Sequence, residues 1–264
     1  MGLAVVENLV SHGWKVAILD KDRGAGEQVA RRYDEEVLFL EVDVTKYEQQ
    51  ANAFAKTCHK WGRLDLVYAN AGIADRTDLI EPAPELDNGA PARPDMLVID
   101  VNLIGVIYTS YLALHFFRKN SSKKGNLVMT SSLAGIYAAP GVTAYCATKH
   151  GVVGLTRSLA YRLQRRGELI RVNAVCPAFV PTGLVNPNLI NRIPKEYVTP
   201  TTTIVRAIEQ FIRDESLTGQ VVETTGEELI FHRLLEPTNE GSRFVMSGGL
   251  KTLLAPGEEQ AVRK

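Results

Sequence analysis

The chain has 264 residues, with 30 Lys plus Arg against 30 Asp plus Glu, 45% hydrophobic and 23% charged residues, which is the make-up of an ordered globular protein and excludes disorder as the dominant state. A formal net charge of zero leaves no excess of Lys and Arg to neutralise phosphates, so neither nucleic acid nor a membrane surface is an expected partner. Cys58, Cys146 and Cys176 stand far apart; they form neither a disulfide framework nor a metal-ligand pattern, no metal site is expected, and a reducing, cytoplasmic compartment suits them.

The opening residues lack a basic start followed by an unbroken apolar run, so no secretory signal is expected there. Residues 3–12 have helical spacing (Leu3, Val6, Leu9, Val10) and stop at Gly13; residues 15–19 then form a short apolar run ending at Asp20, which reads as a strand. A helix over residues 24–33 leads to a strand at 37–42, and Asp43-Val44-Thr45 caps a helix that runs to Trp61. Residues 64–69 make the next strand. Pro82, Pro84, Pro91 and Pro94, with Asn88-Gly89 between them, make 75–95 an irregular excursion.

Residues 96–119 are an apolar helix interrupted by Asp100, Asn102 and His115, which argues for a buried core helix over a membrane span. A strand at 126–130, a loop of small residues at 131–142, a helix at 143–166 and a strand at 170–175 follow. Pro177, Pro181, Pro187 and Pro194 then punctuate a segment suited to a mobile lid. A helix at 201–214 and a strand at 221–223 complete the series. Strands alternating with crossover helices predict an α/β fold, a Rossmann-like doubly wound parallel sheet in one domain over residues 1–225, with 226–264 a tail.

Chemistry concentrates at a few positions. Tyr145 and Lys149 lie four apart on a predicted helix, so phenol and ammonium share a face. A nearby positive charge favours the phenolate, which is the means to acid–base catalysis. Ser132 and Asn70-Ala71-Gly72 fall at the C-terminal ends of predicted strands, the edge of a parallel sheet where ligands bind. Asn102 puts a carboxamide inside an apolar helix, where it needs partners. Taken singly each has another use: Ser132 could cap a turn, Asn102 relieve a helix bend, Asn70 shape a loop.

Together and in this order, these residues resemble the short-chain dehydrogenase/reductase family over nearly the whole chain, and the runs 131–135 and 145–151 resemble its NAD-dependent hydroxyprostaglandin dehydrogenase branch. The resemblance implies hydride transfer between a secondary alcohol or ketone and a nicotinamide cofactor. Tyr145 would exchange the proton, Ser132 would donate a hydrogen bond to the substrate oxygen, Lys149 would lower the Tyr145 pKa and hold the nicotinamide ribose, and Asn102 would position a water. It also assigns cofactor contacts to Asp43 and Val44 at the adenine, to Asn70, Ala71 and Gly72, and to Val180 and Thr182 at the nicotinamide end. Asp20, at the end of a strand, can accept ribose hydroxyls and would repel a phosphate, so NAD is expected ahead of NADP, with Lys21 and Arg23 close enough to soften the choice.

The family starts with a strand and a Thr-Gly-x-x-x-Gly-x-Gly turn, of which only Gly2 can be matched here. The absent first strand would lie between the strand ending at Asp20 and the strand ending at Ala69. Three outcomes are open: the native protein begins upstream, the sheet closes up, or an apolar segment such as 243–246 fills the slot. The first is favoured; if residues 1–264 are complete, cofactor affinity should be badly impaired. A homodimer or homotetramer is expected through helices 96–119 and 143–166, with Leu112 on the interface. The substrate is a small molecule: Leu184, Val185, Leu189, Ile190, Ile193 and Tyr197, with Arg192 and Lys195, would suit an apolar one carrying an acidic group, or simply form an amphipathic loop. The alternatives are a noncatalytic binding or scaffold protein that has lost dinucleotide affinity, and an isomerase or dehydratase using Tyr145 without net redox change.

Overall fold

Two parallel strands, β1 (Val16–Asp20) and β2 (Val37–Glu41), pair with Val16 opposite Val37 and Asp20 opposite Glu41. A separate sheet of five runs in the order β3 (Leu66–Ala69), β4 (Gly125–Thr130), β5 (Ile170–Pro177), β6 (Val221–Thr225), β7 (Glu228–His232). Strands β3 to β6 are parallel and β7 is antiparallel to β6. This architecture, seen in a computed structural model, is described for residues 1–185 and 187–247, without the side chains of Pro187 and Leu189. Met1–His232 form one compact unit; Arg233 onward belongs to a second, in which α9 (Glu240–Met246) is helical.

Strand β4 explains the layering. All six of its residues are buried, because a parallel strand is covered on both faces by its crossover helices. Leu127 and Met129 pack into the cluster holding Phe54, Val106, Phe117 and Val152, residues of α3 (Tyr47–Trp61), α5 (Gly105–Phe117) and α6 (Thr143–Arg165). Val128, on the other face of the pleat, joins Val5, Leu9, Ile204 and Phe211 from α1 (Gly2–Ser11) and α8 (Thr201–Arg213). Helix α2 (Arg23–Ala30) lies against β1 and β2, and the short α7 (Pro187–Ile190) precedes α8 in the chain. At the end of α3, Gly62 closes the helix with φ +74, its N–H donating to Cys58 O at 2.7 Å, a left-handed cap that glycine takes without strain.

Helix α4 (Leu97–Ile99) runs through a π-helical turn (Asp100–Ile104) into α5. By length and composition Leu97–Phe117 could cross a membrane, yet Val106, Leu112, Ala113 and Phe117 belong to the core cluster, as in the core helix of a soluble protein.

The slot expected beside β1 is present. Among the described residues neither β1 nor β3 has a strand partner on its inner edge, and between them lies a cleft of about 1070 Å³ lined by Val16 and Ile18 on one side and Leu66 and Tyr68 on the other. The sheet therefore does not close up. Residues 243–246 supply no strand either, being helical within α9. Three further expectations need correction. The sheet continues past residue 225, because β7 adds an edge strand with Thr224 opposite Leu229. The second helix ends at Ala30, short of 33. Leu112 is 4% exposed and lies in the core, so it is not on an association face; α5 and α6 instead expose Ile107, Tyr111 and Tyr161.

Candidate active site

The C-terminal ends of β3, β4 and β5 and the first turns of α6 converge. Ser132 follows β4 in extended conformation and its Oγ accepts from Ala134 N at 3.2 Å, starting a short 3-10 turn. That cap is the alternative use open to it, and it coexists with a second role: the Ser132 hydroxyl lies close enough to the Tyr145 phenol to pull its pKa down. Lys149, one turn along α6, is 2% exposed and lies with Nζ 5.4 Å from the centre of the Tyr145 ring. Its Nζ donates to Thr130 O at 2.9 Å. Both side chains thus share the face that their spacing dictates.

Asn102 sits in the π-helical turn, fully buried, and reaches the exit of β3. Its Oδ1 accepts from Ile73 N at 2.8 Å and its Nδ2 donates to Ile73 O at 2.9 Å and to Thr148 Oγ1 at 3.4 Å. The carboxamide is thereby occupied, with one Oδ1 lone pair left for a water. A Cβ on Gly72 would lie 3.3 Å from Asn102 Oδ1 and 3.6 Å from Lys149 Nζ, so only glycine leaves bare backbone beside that cation.

The residues expected at the other end of a dinucleotide gather separately. Gly2, Asp20, Val44, Asn70 and Ala71 all line the cleft between β1 and β3, whereas Ser132, Tyr145 and Lys149 do not. Asp20 is exposed at the tip of β1, Oδ1 accepting from Asp22 N at 3.0 Å. Asn70 meets the start of α1, where a Cβ on Gly2 would be 3.1 Å from Asn70 Nδ2. Asp43 is committed to its own turn, Oδ1 accepting from Thr45 N at 2.9 Å and Thr45 Oγ1 at 2.8 Å. Val44 O accepts from Gln50 Nε2 at 2.6 Å. Val180 is buried in the core cluster on the α1/α8 face, leaving only its backbone for a ligand, and Thr182 closes the next turn through Val185 N at 3.0 Å.

Residues 1–191 match the model of the family described as short chain dehydrogenase. This chain belongs to that family. It is 35% identical over 244 residues to the short-chain dehydrogenase/reductase prx6 of Penicillium rubens, covering 90% of this chain and 81% of that protein. It is 28% identical to the 15-hydroxyprostaglandin dehydrogenase [NAD(+)] of Mus musculus, covering 86% of this chain and 87% of the mouse protein. Among solved structures, a 3-ketoacyl-(acyl-carrier-protein) reductase from Brucella melitensis complexed with NADH superposes with a TM-score of 0.72 at 23% identity over 85% of this chain and 92% of that one, a likeness of fold. This short-chain dehydrogenase is an oxidoreductase by family, and the relatives named here do not favour the noncatalytic alternative.

Electrostatics in the dehydrogenase's site differ from the expected tuning. Burial pushes the Tyr145 phenol above its usual pKa; the Ser132 hydroxyl pulls the other way, and the charges of Cys176 and Asp75 add to the rise. Lys149 does not offset this rise; its ammonium donates to the Thr130 carbonyl and is itself pulled down to about 8 by burial. Burial also raises the Cys176 thiol to about 11, which leaves it inert. Burial acts to raise the Asp43 carboxyl, but the hydrogen bonds from Thr45, with Lys46 and Lys21, outweigh it and hold the group below its usual value.

Two features of the site carry no signal in the sequence. Asp75 accepts from Tyr145 N at 2.6 Å and Ala144 N at 3.1 Å, a contact across about 70 residues of chain that no local pattern announces. Glu223 Oε2 receives the Tyr137 hydroxyl at 2.8 Å and faces His232 Nε2 at 2.8 Å, tying the loop that carries Ser132 to the middle of β6 and the end of β7.

Proposed function

We propose that this chain transfers a hydride between a secondary alcohol or its ketone and a nicotinamide dinucleotide, with NAD(H) preferred over NADP(H). The observation that carries the reading is the grouping of the Tyr145 phenol with the Ser132 hydroxyl that acts on it and with Lys149, whose Nζ lies 5.4 Å from the centre of the Tyr145 ring. A bound nicotinamide supplies or accepts the hydride, chemistry that no side chain can perform. Tyr145 Oη gives a proton to the substrate oxygen or takes one from it, while Ser132 Oγ hydrogen-bonds the same oxygen as its charge changes. With its pKa raised by burial, the resting phenol holds the proton that ketone reduction needs; alcohol oxidation must first remove it. Lys149 and the bare backbone at Gly72 fit the ribose next to the nicotinamide, and Asp20, Asn70 and the first turn of α1, which has no side-chain cap, fit the adenosine end and the pyrophosphate.

Preference for NAD(H) rests on Asp20 and on what surrounds it. Of the two nearby cations that could welcome a phosphate, Lys21 and Arg23, the latter is engaged by Glu27 at 3.2 Å and Glu41 at 3.6 Å. Like charge would therefore meet an NADP phosphate there. The naming of the mouse relative for NAD(+) and the NADH held by the Brucella reductase agree with a nicotinamide cofactor. Exposed Leu184 and Tyr197, with exposed Arg192 and Lys195, suit a mainly apolar small-molecule substrate carrying an acidic group. A homodimer through α5 and α6 completes the reading, as does a cytoplasmic setting.

The test is NADH titration followed by turnover of acetophenone as a probe ketone. Saturable binding is expected for the parent and for Tyr145→Phe alike, with turnover in the variant reduced by about 10²-fold or more. Absence of saturable binding at millimolar NADH, or parental turnover in Tyr145→Phe, rejects the proposal.

A further inference from the structure

Helix α6 begins in an unusual way. The first N–H groups of any helix lack partners within it, and a Ser, Thr, Asp or Asn at the N-cap ordinarily satisfies one of them. Here the N-cap is Val142, which offers no side-chain acceptor, and the hydroxyl of Thr143 is buried without a hydrogen-bond partner among the described residues. The acceptor comes from elsewhere. Asp75, six residues beyond the end of β3, places one carboxylate oxygen 2.6 Å from Tyr145 N and the other 3.1 Å from Ala144 N. A carboxylate at that point forms charge-assisted hydrogen bonds and meets the positive end of the helix dipole.

The segment that presents Asp75 is itself fixed. Ile73, two residues earlier, is held at both backbone atoms by Asn102, and Asn102 also touches Thr148, whose hydroxyl donates to Tyr145 O at 2.6 Å. The two peptide groups flanking the Tyr145 side chain are therefore both held, the N–H by Asp75 from the β3 side and the carbonyl by Thr148 on the same helix.

We propose that Asp75 is a positioning residue for Tyr145: its carboxylate holds the first turn of α6 from outside the helix and sets both the direction and the electrostatic surroundings of the phenol. The inference rests on the reading of Tyr145 as the acid–base group. Among the described residues, the groups that act on that phenol or lie beside it are the Ser132 hydroxyl from the end of β4, the Cys176 thiol from β5, the Lys149 ammonium on its own helix, and the Asp75 carboxylate from the β3 exit. Lys149 and Asp75 are of opposite charge type, and Asp75 adds to the rise that burial sets, favouring the protonated phenol.

The decisive experiment needs neither substrate nor cofactor, so its failure is distinct from failure of the proposed activity. Tyr145 is replaced by 3,5-difluorotyrosine, whose fluorines bring ionisation into a mild pH range, and the phenol is titrated by absorbance in the parent and in Asp75→Asn. Asparagine keeps one acceptor oxygen and removes the charge. The midpoint should fall by about half a pH unit or more, a threefold or larger change in the ionisation constant. Amide exchange at Ala144 and Tyr145 is measured alongside and should quicken about tenfold in Asp75→Ala, with Asp75→Asn intermediate and sufficient by itself if the alanine variant does not fold. An unmoved midpoint in Asp75→Asn overturns the proposal, and so does parental exchange at these two amides in the variants.

Discussion

Asn102 grips Ile73 by both backbone atoms, its Oδ1 2.8 Å from the N–H and its Nδ2 2.9 Å from the carbonyl. One side chain on the π-helical turn thus replaces the strand pairing that Ile73 loses where β3 ends. Replacing Asn102 by Leu keeps the bulk and strands two partly buried backbone groups, each of which costs about 1–3 kcal/mol when unpaired. We expect a loss of about 2 kcal/mol in urea unfolding and faster amide exchange at Ile73; a loss smaller than half of that figure would show that Ile73 finds other partners.

Lys149 should make stability depend on pH. Its pKa is lowered from 10.5 to about 8 by burial, so the folded state disfavours the charged form. Above the unfolded value both states are neutral and nothing is lost. As pH falls from there toward 8, the unfolded chain takes up a proton that the folded chain resists, and stability declines until both are charged. Lys149→Met removes this term, and the variant should exceed the parent by roughly 3 kcal/mol at neutral pH, less the hydrogen bond to Thr130. The gain should shrink toward zero near pH 10.5; a difference that does not vary with pH would remove the basis for this expectation.

Asp20→Ser should shift cofactor choice. With the carboxylate gone, an NADP phosphate no longer meets like charge at the tip of β1, and Lys21 is left nearby. The ratio of kcat/KM for NADPH over NADH should rise by about tenfold, equivalent to roughly 1.4 kcal/mol. An unchanged ratio would place the adenosine ribose elsewhere.

The split sheet makes its own prediction. Fusing a five-residue β-branched strand and a glycine-bearing turn ahead of Gly2 would offer hydrogen bonds to both inner edges of the cleft. Amides of β1 and β3 should then exchange more slowly and NADH should bind at least about tenfold more tightly, since the turn adds N–H donors at the α1 terminus. Exchange at these strands that stays at the parental rate would mean the slot does not accept a strand.

Association can be probed at Tyr111, which is 66% exposed on α5. Tyr111→Glu puts a charge on the apolar patch shared with Ile107 and should convert a dimer to monomer in sedimentation, with little effect on the fold. A dimer that persists would move the interface off α5.

Much of this protein is legible without coordinates. Alternating apolar periods give the crossover α/β order because a parallel strand is covered on both faces and a crossover helix on one; β4 is buried at all six positions around Leu127, Val128 and Met129, and α8 buries Ile204, Ala207, Ile208 and Phe211. The i,i+4 spacing of Tyr145 and Lys149 already fixes their common face. Chemistry at chain separations of tens of residues is different. That the Lys149 ammonium turns to Thr130, that burial raises the Tyr145 phenol instead of the ammonium lowering it, that Asp75 caps α6, that β7 extends the sheet, and that Leu112 points inward all depend on which surfaces meet. Local sequence sets what each segment can become; desolvation and hydrogen bonding between distant segments are settled only when the chain is folded.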